Sequence, residues 1–174
     1  MDYGSEIILK DERRIILKSF EPDDKEKLVV FYSILSPEVL KWALPPYDRE
    51  RIERWTSNPS ESIILFACHE NNIVGHSQIF HNPNSQFKGI GELLIYLHQD
   101  FLNVGLGTSM MKKGLQMAQA HEFHRVKLSV VAENKNAIHV EIILRHDKTA
   151  DRSQHSIASF VGIAAKTPHQ SRGT

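Results

Sequence analysis

The sequence predicts a mixed α/β fold, and three observations lead to this prediction. Two aliphatic strands, Ile63 to His69 and Ile73 to Phe80, flank Asn71-Asn72, whose asparagines tolerate positive φ, so they are predicted to form a β-hairpin. A dense apolar strand, Glu92 to Leu97, then passes through a glycine turn into a helix. A further strand, Val126 to Val131, follows that helix, as expected of two neighbouring parallel strands joined by one crossover helix.

The first part of the chain is predicted to contain one strand and several helices. Of the two aliphatic runs, Ile7 to Leu9 and Arg14 to Phe20, the second is predicted to be the first strand. Glu21-Pro22-Asp23-Asp24 combines acidic residues with an early proline, which suits the start of a helix. Ser36-Pro37 predicts a second, short helix, and Asp48 is predicted to cap a third.

An aromatic segment lies between these helices. Trp42 to Pro46 is predicted to be a loop with paired prolines. Two interpretations of Trp42, Tyr47 and Trp55 stay open: they form the wall of a substrate site, or they pack in the core, the commoner use of such residues.

Length and composition limit the classes of protein. The chain of 174 residues is predicted to be a single domain over 1–174, and its 21 basic and 21 acidic residues leave no field that favours nucleic acid. Met1 to Glu6 lacks a basic segment followed by an apolar one, and the longest apolar run, Ile63 to Cys68, is too short to cross a membrane. We therefore expect a cytoplasmic protein without a membrane partner. Cys68, the only cysteine, is predicted to be buried and inert.

The glycine turn carries the strongest functional signal. Gly105 and Gly107 let the chain turn sharply before a helix predicted from Thr108, and they bring successive backbone N–H groups to the start of that helix. Such a site favours a phosphate or pyrophosphate, although a plain strand-to-helix connection explains the same glycines. A dinucleotide site is disfavoured, because a third glycine and a ribose-binding acid are missing. The apolar face of the helix is predicted to comprise Met110, Met111, Leu115 and Ala118.

Three stretches resemble the GCN5-related N-acetyltransferase (GNAT) family. The segment Leu102-Asn103-Val104-Gly105-Leu106-Gly107-Thr108 is similar to the family motif Gln/Arg-x-x-Gly-x-Gly/Ala, with Leu102 where Gln or Arg is usual. The strand from Glu92 to Leu97 also matches, as does the pattern Leu128-x-Val130-x-x-x-Asn134-x-x-Ala137-Ile138, in which Asn134 stands where a helix cap is expected. The resemblance covers residues 13 to 140.

The resemblance implies a fold and a co-substrate. The fold would be a mixed, mainly antiparallel sheet flanked by helices, with one parallel, splayed pair of strands. The co-substrate would be acetyl-coenzyme A, its pyrophosphate on the amides of Val104 to Thr108 and its pantetheine beside Ile95 to Leu97; no metal is expected. The cofactor-binding residues implied are Ile95, Leu97, Leu102, Asn103, Val104, Gly105, Leu106, Gly107, Thr108 and Asn134.

The resemblance also implies transfer of an acetyl group to a primary amine by direct attack within a ternary complex. Glu92 is the expected general base, directly or through water, because the amine must lose a proton before it attacks. A surface or ion-paired glutamate is the alternative reading of Glu92. The acceptor, a small molecule, a protein lysine or an N-terminus, stays open, and so does a homodimer. Two other functions stay open: a non-catalytic acyl-coenzyme A-binding module and a nucleotide-phosphate-binding regulatory domain.

The chain departs from the family after about residue 140. Glu141 stands at the tyrosine of the family motif Tyr-x-x-x-Gly-Phe, which commonly supplies the proton donor, and His139 and His146 are the nearby alternatives. The closing strands are altered or missing in the atypical tail 141–174, where Ile157 to Ala165 is the one apolar patch. One hypothesis for the break is a change of coding frame near Val140, and a native divergent tail is the alternative. His121-Glu122-Phe123-His124 lacks the spacing of a zinc motif.

Overall fold

The protein forms one large sheet with helices on both faces. The structure, a computed structural model, describes residues 4–41, 47–57, 62–81, 89–121, 123, 125–128, 130–131, 134, 137 and 163–164. The strands are β1 Ser5–Ile8, β2 Arg14–Ser19, β3 Ser62–His69, β4 Asn72–His81, β5 Ile90–Leu97, β6 Arg125–Leu128, β7 Val130–Val131 and β8 Ile163–Ala164. The helices are α1 Lys25–Ser33, α2 Pro37–Leu40, α3 Arg49–Ser57 and α4 Leu106–Ala120. The predicted mixed α/β class is confirmed.

The strands of the large sheet follow the order β1-β2-β3-β4-β5-β6, and every neighbouring pair is antiparallel except β5 and β6. The expected mainly antiparallel sheet with one parallel pair is therefore confirmed. The pair β5–β6 is registered only from Ile90 to Leu93, whereas β4 follows β5 as far as Leu97. Within the described residues, the last half of β5 consequently has a strand partner on one side only. The small strands β7 and β8 pair in parallel.

Two turns differ from the sequence predictions. The prediction of one strand before the first helix was wrong, because the run from Ile7 also forms a strand; β1 and β2 make a hairpin closed by Leu9 N–H and the Arg13 carbonyl at 2.9 Å. In the second hairpin the residues with positive φ are Glu70 at 48° and Asn71 at 68°. Asn72 already pairs with His69 as the first residue of β4, so the turn lies one position before the predicted one.

The helices begin close to the predicted signals. A short 3-10 turn, Pro22–Asp24, precedes α1, and Asp48 Oδ1 accepts a hydrogen bond from Arg51 N–H at 2.9 Å at the start of α3. Helix α4 begins two residues earlier than predicted, because Gly105 adopts φ of 92° and forms its N-cap. All four residues of its predicted face, Met110, Met111, Leu115 and Ala118, are buried. The predicted loop Trp42 to Pro46 lies outside the described residues.

Strand β4 lies between two layers of core packing. Gly75 faces α4, where Met110 and Leu115 belong to the apolar clusters on that side of the sheet. His76 faces the opposite side, where its ring meets Tyr32 of α1 and Trp55 of α3. Successive β4 side chains therefore point into different cores, as the alternation of a strand requires.

Three remaining predictions concern the surface and the tail. Cys68 is half-buried rather than buried, and this burial raises the pKa of its thiol. None of the described helices is long and apolar enough to cross a membrane. In the tail, the described residues Ile163–Ala164 form β8 inside the apolar patch predicted from Ile157 to Ala165, and the other tail residues lie outside the described ranges.

Replacing Gly75 by Ala should lower the free energy of unfolding by ~1–3 kcal/mol, the usual cost of overpacking a core. The new Cβ would lie 2.7 Å from Met110 Sδ and 3.2 Å from Ala67 Cβ, so the buried Met110 side chain has to shift. The matched control is Gly114→Ala inside α4, where the nearest atom is 3.7 Å away. This control should gain ~0.5–1 kcal/mol through helix propensity. Urea unfolding measures both, and equal stability of the two variants would contradict the packing described here.

Candidate functional site

The glycine turn connects the end of β5 to the start of α4. After a 3-10 turn at Gln99–Phe101, Asn103 and Gly105 both adopt positive φ, 63° and 92°, and reverse the chain into the helix. The first helical hydrogen bond runs from Ser109 N–H to the Gly105 carbonyl at 3.1 Å. The N–H groups that precede Ser109 have no acceptor within the helix, as in the first turn of any α-helix. Sequence-predicted residues 102–108 therefore share one turn whose donors can receive an anion.

The open edge of β5 begins beside this turn. Ile95 and Leu97 point toward α4 and pack against the cluster that contains Leu106 and Met110. The methyl Cδ1 of Leu97 lies 3.3 Å from the position that a Cβ on Gly107 would take. The structure thus brings the residues predicted for pantetheine and those predicted for pyrophosphate into contact. Asn134 has a different observed role, because its Oδ1 accepts a hydrogen bond from Ala137 N–H at 3.2 Å, as a helix cap does.

Lys10, in the turn between β1 and β2, lies against the glycine turn. Its backbone N–H donates to the Val104 carbonyl at 3.1 Å, and its side-chain Cε lies 3.8 Å from the position of a Cβ built on Gly105. The side chain is exposed, and its ammonium makes no hydrogen bond or ion pair with any described residue. Sequence reasoning missed Lys10, since only the hairpin that brings the two turns together reveals it.

Glu92 lies on the other face of β5 from Ile95 and Leu97. Strand alternation turns Glu92, Leu94 and Tyr96 toward the side of the sheet where Tyr32 lies. Glu92 is half-buried and is registered opposite Phe80 of β4. The carboxylate is therefore near the edge where β5 and β6 separate, but it does not share a face with the predicted pantetheine residues.

A cluster of aromatic rings, Tyr32, Tyr47, Trp55, His76 and Tyr96, covers this face of the sheet. The rings of Tyr32 and Tyr47 stack with centroids 4.8 Å apart, and the hydroxyls of Tyr47 and Tyr96 are hydrogen-bonded at 2.7 Å. Tyr32 and His76 are buried, while the other three are half-buried. Burial raises the pKa of Tyr32 and of Tyr96, so both phenols stay protonated. Tyr47 and Trp55, two of the residues considered for a substrate wall, are half-buried members of this cluster.

Two polar side chains of β4, His76 in this cluster and Gln78 beside it, were missed by sequence reasoning. His76 and Gln78 are 0% and 3% exposed. His76 Nδ1 is hydrogen-bonded to the Tyr32 hydroxyl at 2.7 Å, and burial lowers the pKa of the imidazole to about 3. His76 Nε2 and Gln78 Oε1 have no hydrogen-bond partner among the described residues. Such an unpaired buried group costs ~1–3 kcal/mol.

The residues that bear on a metal site and on the proton donor lie partly inside and partly outside the described ranges. The described residues contain no group of three metal-ligating side chains. His124 lies outside the described residues, as do Glu141, His139 and His146, the three positions that bear on the proton donor.

The sheet is mainly antiparallel, its one parallel pair opens toward one end, and a glycine turn leads from there into a helix. A family model described as "Acetyltransferase (GNAT) family" matches residues 28–140, and the chain belongs to this family. No curated protein matches the sequence.

Solved structures share the fold at low identity. The GNAT domain of S. lividans PAT superposes with a TM-score of 0.73 at 17% identity, covering 80% of this chain and 85% of that one. A ribosomal-protein-alanine N-acetyltransferase from Brucella melitensis has a TM-score of 0.64 at 18% identity, with 74% and 82% covered. Mycobacterium smegmatis RimJ, in complex with CoA-disulfide, has a TM-score of 0.62 at 14% identity, with 81% and 73% covered.

The buried His76 should make the protein less stable in mild acid. Its pKa is about 3 in the folded state against 6.5 when exposed, so between these values the unfolded state binds the extra proton and stability falls as the pH falls. From pH 7 to 5 the free energy of unfolding of the wild type should drop by ~2 kcal/mol more than that of His76→Gln. Urea titrations at the two pH values measure this difference, and parallel losses in both proteins would be incompatible with a buried neutral imidazole.

Proposed function

We propose that this protein is an N-acetyltransferase that transfers the acetyl group of acetyl-coenzyme A to a primary amine within a ternary complex. One observation carries the proposal: the glycine turn at the start of α4 stands directly beside the half of β5 that has only one described strand partner. A strand edge offers unpaired N–H and C=O groups, and a helix start offers unpaired N–H groups. Together they suit a long co-substrate with amide groups at one end and phosphates at the other.

The residues of the turn and of the strand divide the co-substrate between them. The pyrophosphate would lie on the backbone amides of Val104 to Thr108. Leu102 and Asn103 lead the chain into this turn. Asn134 would border the co-substrate site from the segment after β7. The pantetheine would lie along Ile95 to Leu97. The Leu102 side chain supplies no polar contact to the phosphates, so a cationic side chain for them has to come from another residue. The Lys10 side chain lies against Gly105 and is in position to provide it.

The chemistry follows from the thioester, which supplies an activated acetyl group. Glu92, directly or through water, takes a proton from the ammonium of the acceptor, and the neutral amine attacks the thioester carbonyl. The C–N bond forms, the attacking nitrogen loses a second proton, the C–S bond breaks, and the departing thiolate takes up one proton, so that one proton is released in all. A backbone N–H of the open strand would stabilise the oxyanion, a contribution of ~3 kcal/mol in comparable sites. The positions considered for the proton donor to the thiolate, His139, Glu141 and His146, lie outside the described residues.

A non-catalytic acyl-coenzyme A-binding module is the second candidate, and Glu141 in place of the usual tyrosine favours it. Calorimetry with acetyl-coenzyme A, followed by a thiol-release assay over a panel of primary amines, separates the two. Binding with turnover supports the transferase, and binding without turnover supports the module. Absence of binding contradicts both.

Replacing Lys10 by Ala should weaken acetyl-coenzyme A binding about fivefold, a magnitude typical of an exposed charge pair. The difference from wild type should shrink as salt rises, since the contact is screened. Calorimetry at two salt concentrations measures both effects. The matched control is Lys27→Ala, which removes an equally exposed ammonium from α1. If the two variants bind alike, Lys10 does not contact the phosphates.

Replacing Glu92 by Gln should lower the acetyl-transfer rate ~10²- to 10⁴-fold, the usual contribution of a general base. Acetyl-coenzyme A affinity should stay within about twofold, because the amide keeps the shape of the carboxylate. The defect should narrow at high pH, where more of the acceptor is already unprotonated. Thiol release as a function of pH measures this, with Glu50→Gln on exposed α3 surface as the control. Full activity of Glu92→Gln would remove Glu92 from the mechanism.

A further inference from the structure

Two buried polar atoms on the aromatic face of the sheet have no hydrogen-bond partner among the described residues. His76 and Gln78 occupy alternate positions of β4 and so point to the same face of the sheet. Their side chains are 0% and 3% exposed, yet His76 Nε2 and Gln78 Oε1 have no hydrogen-bond partner in the described part of the chain. Buried polar atoms are nearly always paired with protein, water or a ligand, and each exception requires an explanation.

The hydrogen bonds of Gln78 and Tyr32 assign a role to each of the two unpartnered atoms. Gln78 Nε2 lies 3.0 Å from Ser62 Oγ and 3.5 Å from the Trp55 carbonyl, and a carbonyl only accepts, so the amide nitrogen faces it. Gln78 Oε1 is therefore an acceptor. Tyr32 makes its hydroxyl contact to His76 Nδ1 at 2.7 Å and has no other described hydrogen-bond partner. We assign the tautomer in which the phenol donates to Nδ1, because this pairs the buried hydroxyl proton, and in that tautomer His76 Nε2–H is a donor.

Gln78 is the nearer of these two side chains to the proposed catalytic carboxylate. In the register of β4 and β5, Phe80 is opposite Glu92, Gln78 is opposite Leu94 and His76 is opposite Tyr96. Gln78 is thus a diagonal neighbour of Glu92 on the same face, a separation of ~7–8 Å between Cα atoms in antiparallel pairs. Trp55 and Tyr96, both half-buried, pack against the core cluster on this face, and the Trp55 carbonyl lies 3.5 Å from Gln78 Nε2.

We propose that His76 and Gln78 form a polar subsite for the acceptor amine. The subsite recognises a neutral group that both accepts and donates a hydrogen bond, a hydroxyl or a primary carboxamide, carried a few bonds from the reacting nitrogen. Trp55 and Tyr96 cover the apolar part of the same acceptor. A charged group is excluded here, because neither His76 nor Gln78 offsets the cost of burying a charge. The proposal rests on the acetyltransferase function proposed above and specifies its acceptor.

The first test uses the wild-type protein and needs no turnover. With coenzyme A saturating, the imidazole resonances of His76 and the side-chain amide resonances of Gln78 are followed by NMR during titration with propanolamine, β-alaninamide or butylamine. The three amines have similar length and differ in the terminal group. The first two should shift both sets of resonances, whereas butylamine should leave them in place.

The second test measures kcat/KM by thiol release for the same amines. Wild type should prefer propanolamine and β-alaninamide to butylamine by roughly tenfold, the value of one good hydrogen bond. Gln78→Leu should abolish this preference while its acetyl-coenzyme A affinity, measured by calorimetry, stays unchanged. The control is Thr56→Val, which removes another buried polar group, a hydroxyl that donates to the Ile52 carbonyl within α3. It should keep the preference.

The outcomes distinguish the subsite from the activity. Resonance shifts with the two polar amines but no turnover would leave the subsite in place and remove the proposed catalysis. Turnover without preference, equal shifts with butylamine, or no shifts at all would each overturn the subsite. A crystal structure in which an ordered water bridges His76 Nε2 and Gln78 Oε1 and stays there with either polar amine bound would overturn it as well.

Discussion

The separation of β5 from β6 is the constraint on which the rest of the structure depends. The two strands are paired from Ile90 to Leu93, and β5 then continues to Leu97 with β4 as its only described partner. A strand edge inside a sheet is costly unless another group takes up its hydrogen bonds. The fold keeps this edge because both of its faces are held, one by α4 and the other by the aromatic cluster around Tyr96. A ligand that pairs with the edge completes the sheet.

Much of the fold followed from the sequence wherever local chemistry and periodicity agreed. Asp48 predicted the start of α3, because a carboxylate suits the first turn of a helix. The three- and four-residue spacing of apolar residues predicted the buried face of α4. The failures had two causes. The strand β1 was passed over because its pairing depends on β2, and the turn at Glu70 was misplaced by one residue because a glutamate at positive φ has no sequence signature.

Some residues of the candidate site could be recognised from the sequence and others could not. Residues 102–108 were recognisable, since two glycines and a helix start stand together in the chain. Lys10, His76 and Gln78 could not be recognised as site residues from the sequence. The contacts that place each of them at the site are made with residues far away in the chain. A histidine in an apolar strand looks like any core residue until one ring nitrogen is paired and the other is not.

The contact between the first hairpin and the glycine turn determines how far the protein can be shortened from its N-terminal side. The family match starts at residue 28, after both strands of the hairpin. Yet Lys10 holds the Val104 carbonyl, and the guanidinium of Arg13 donates to the Asp100 carbonyl at 2.6 Å and lies 3.8 Å from the centre of the Phe101 ring. The segment before the family boundary is thus the outer wall of the turn. A protein shortened to the matched region would retain the glycines and lose the surface that shapes them.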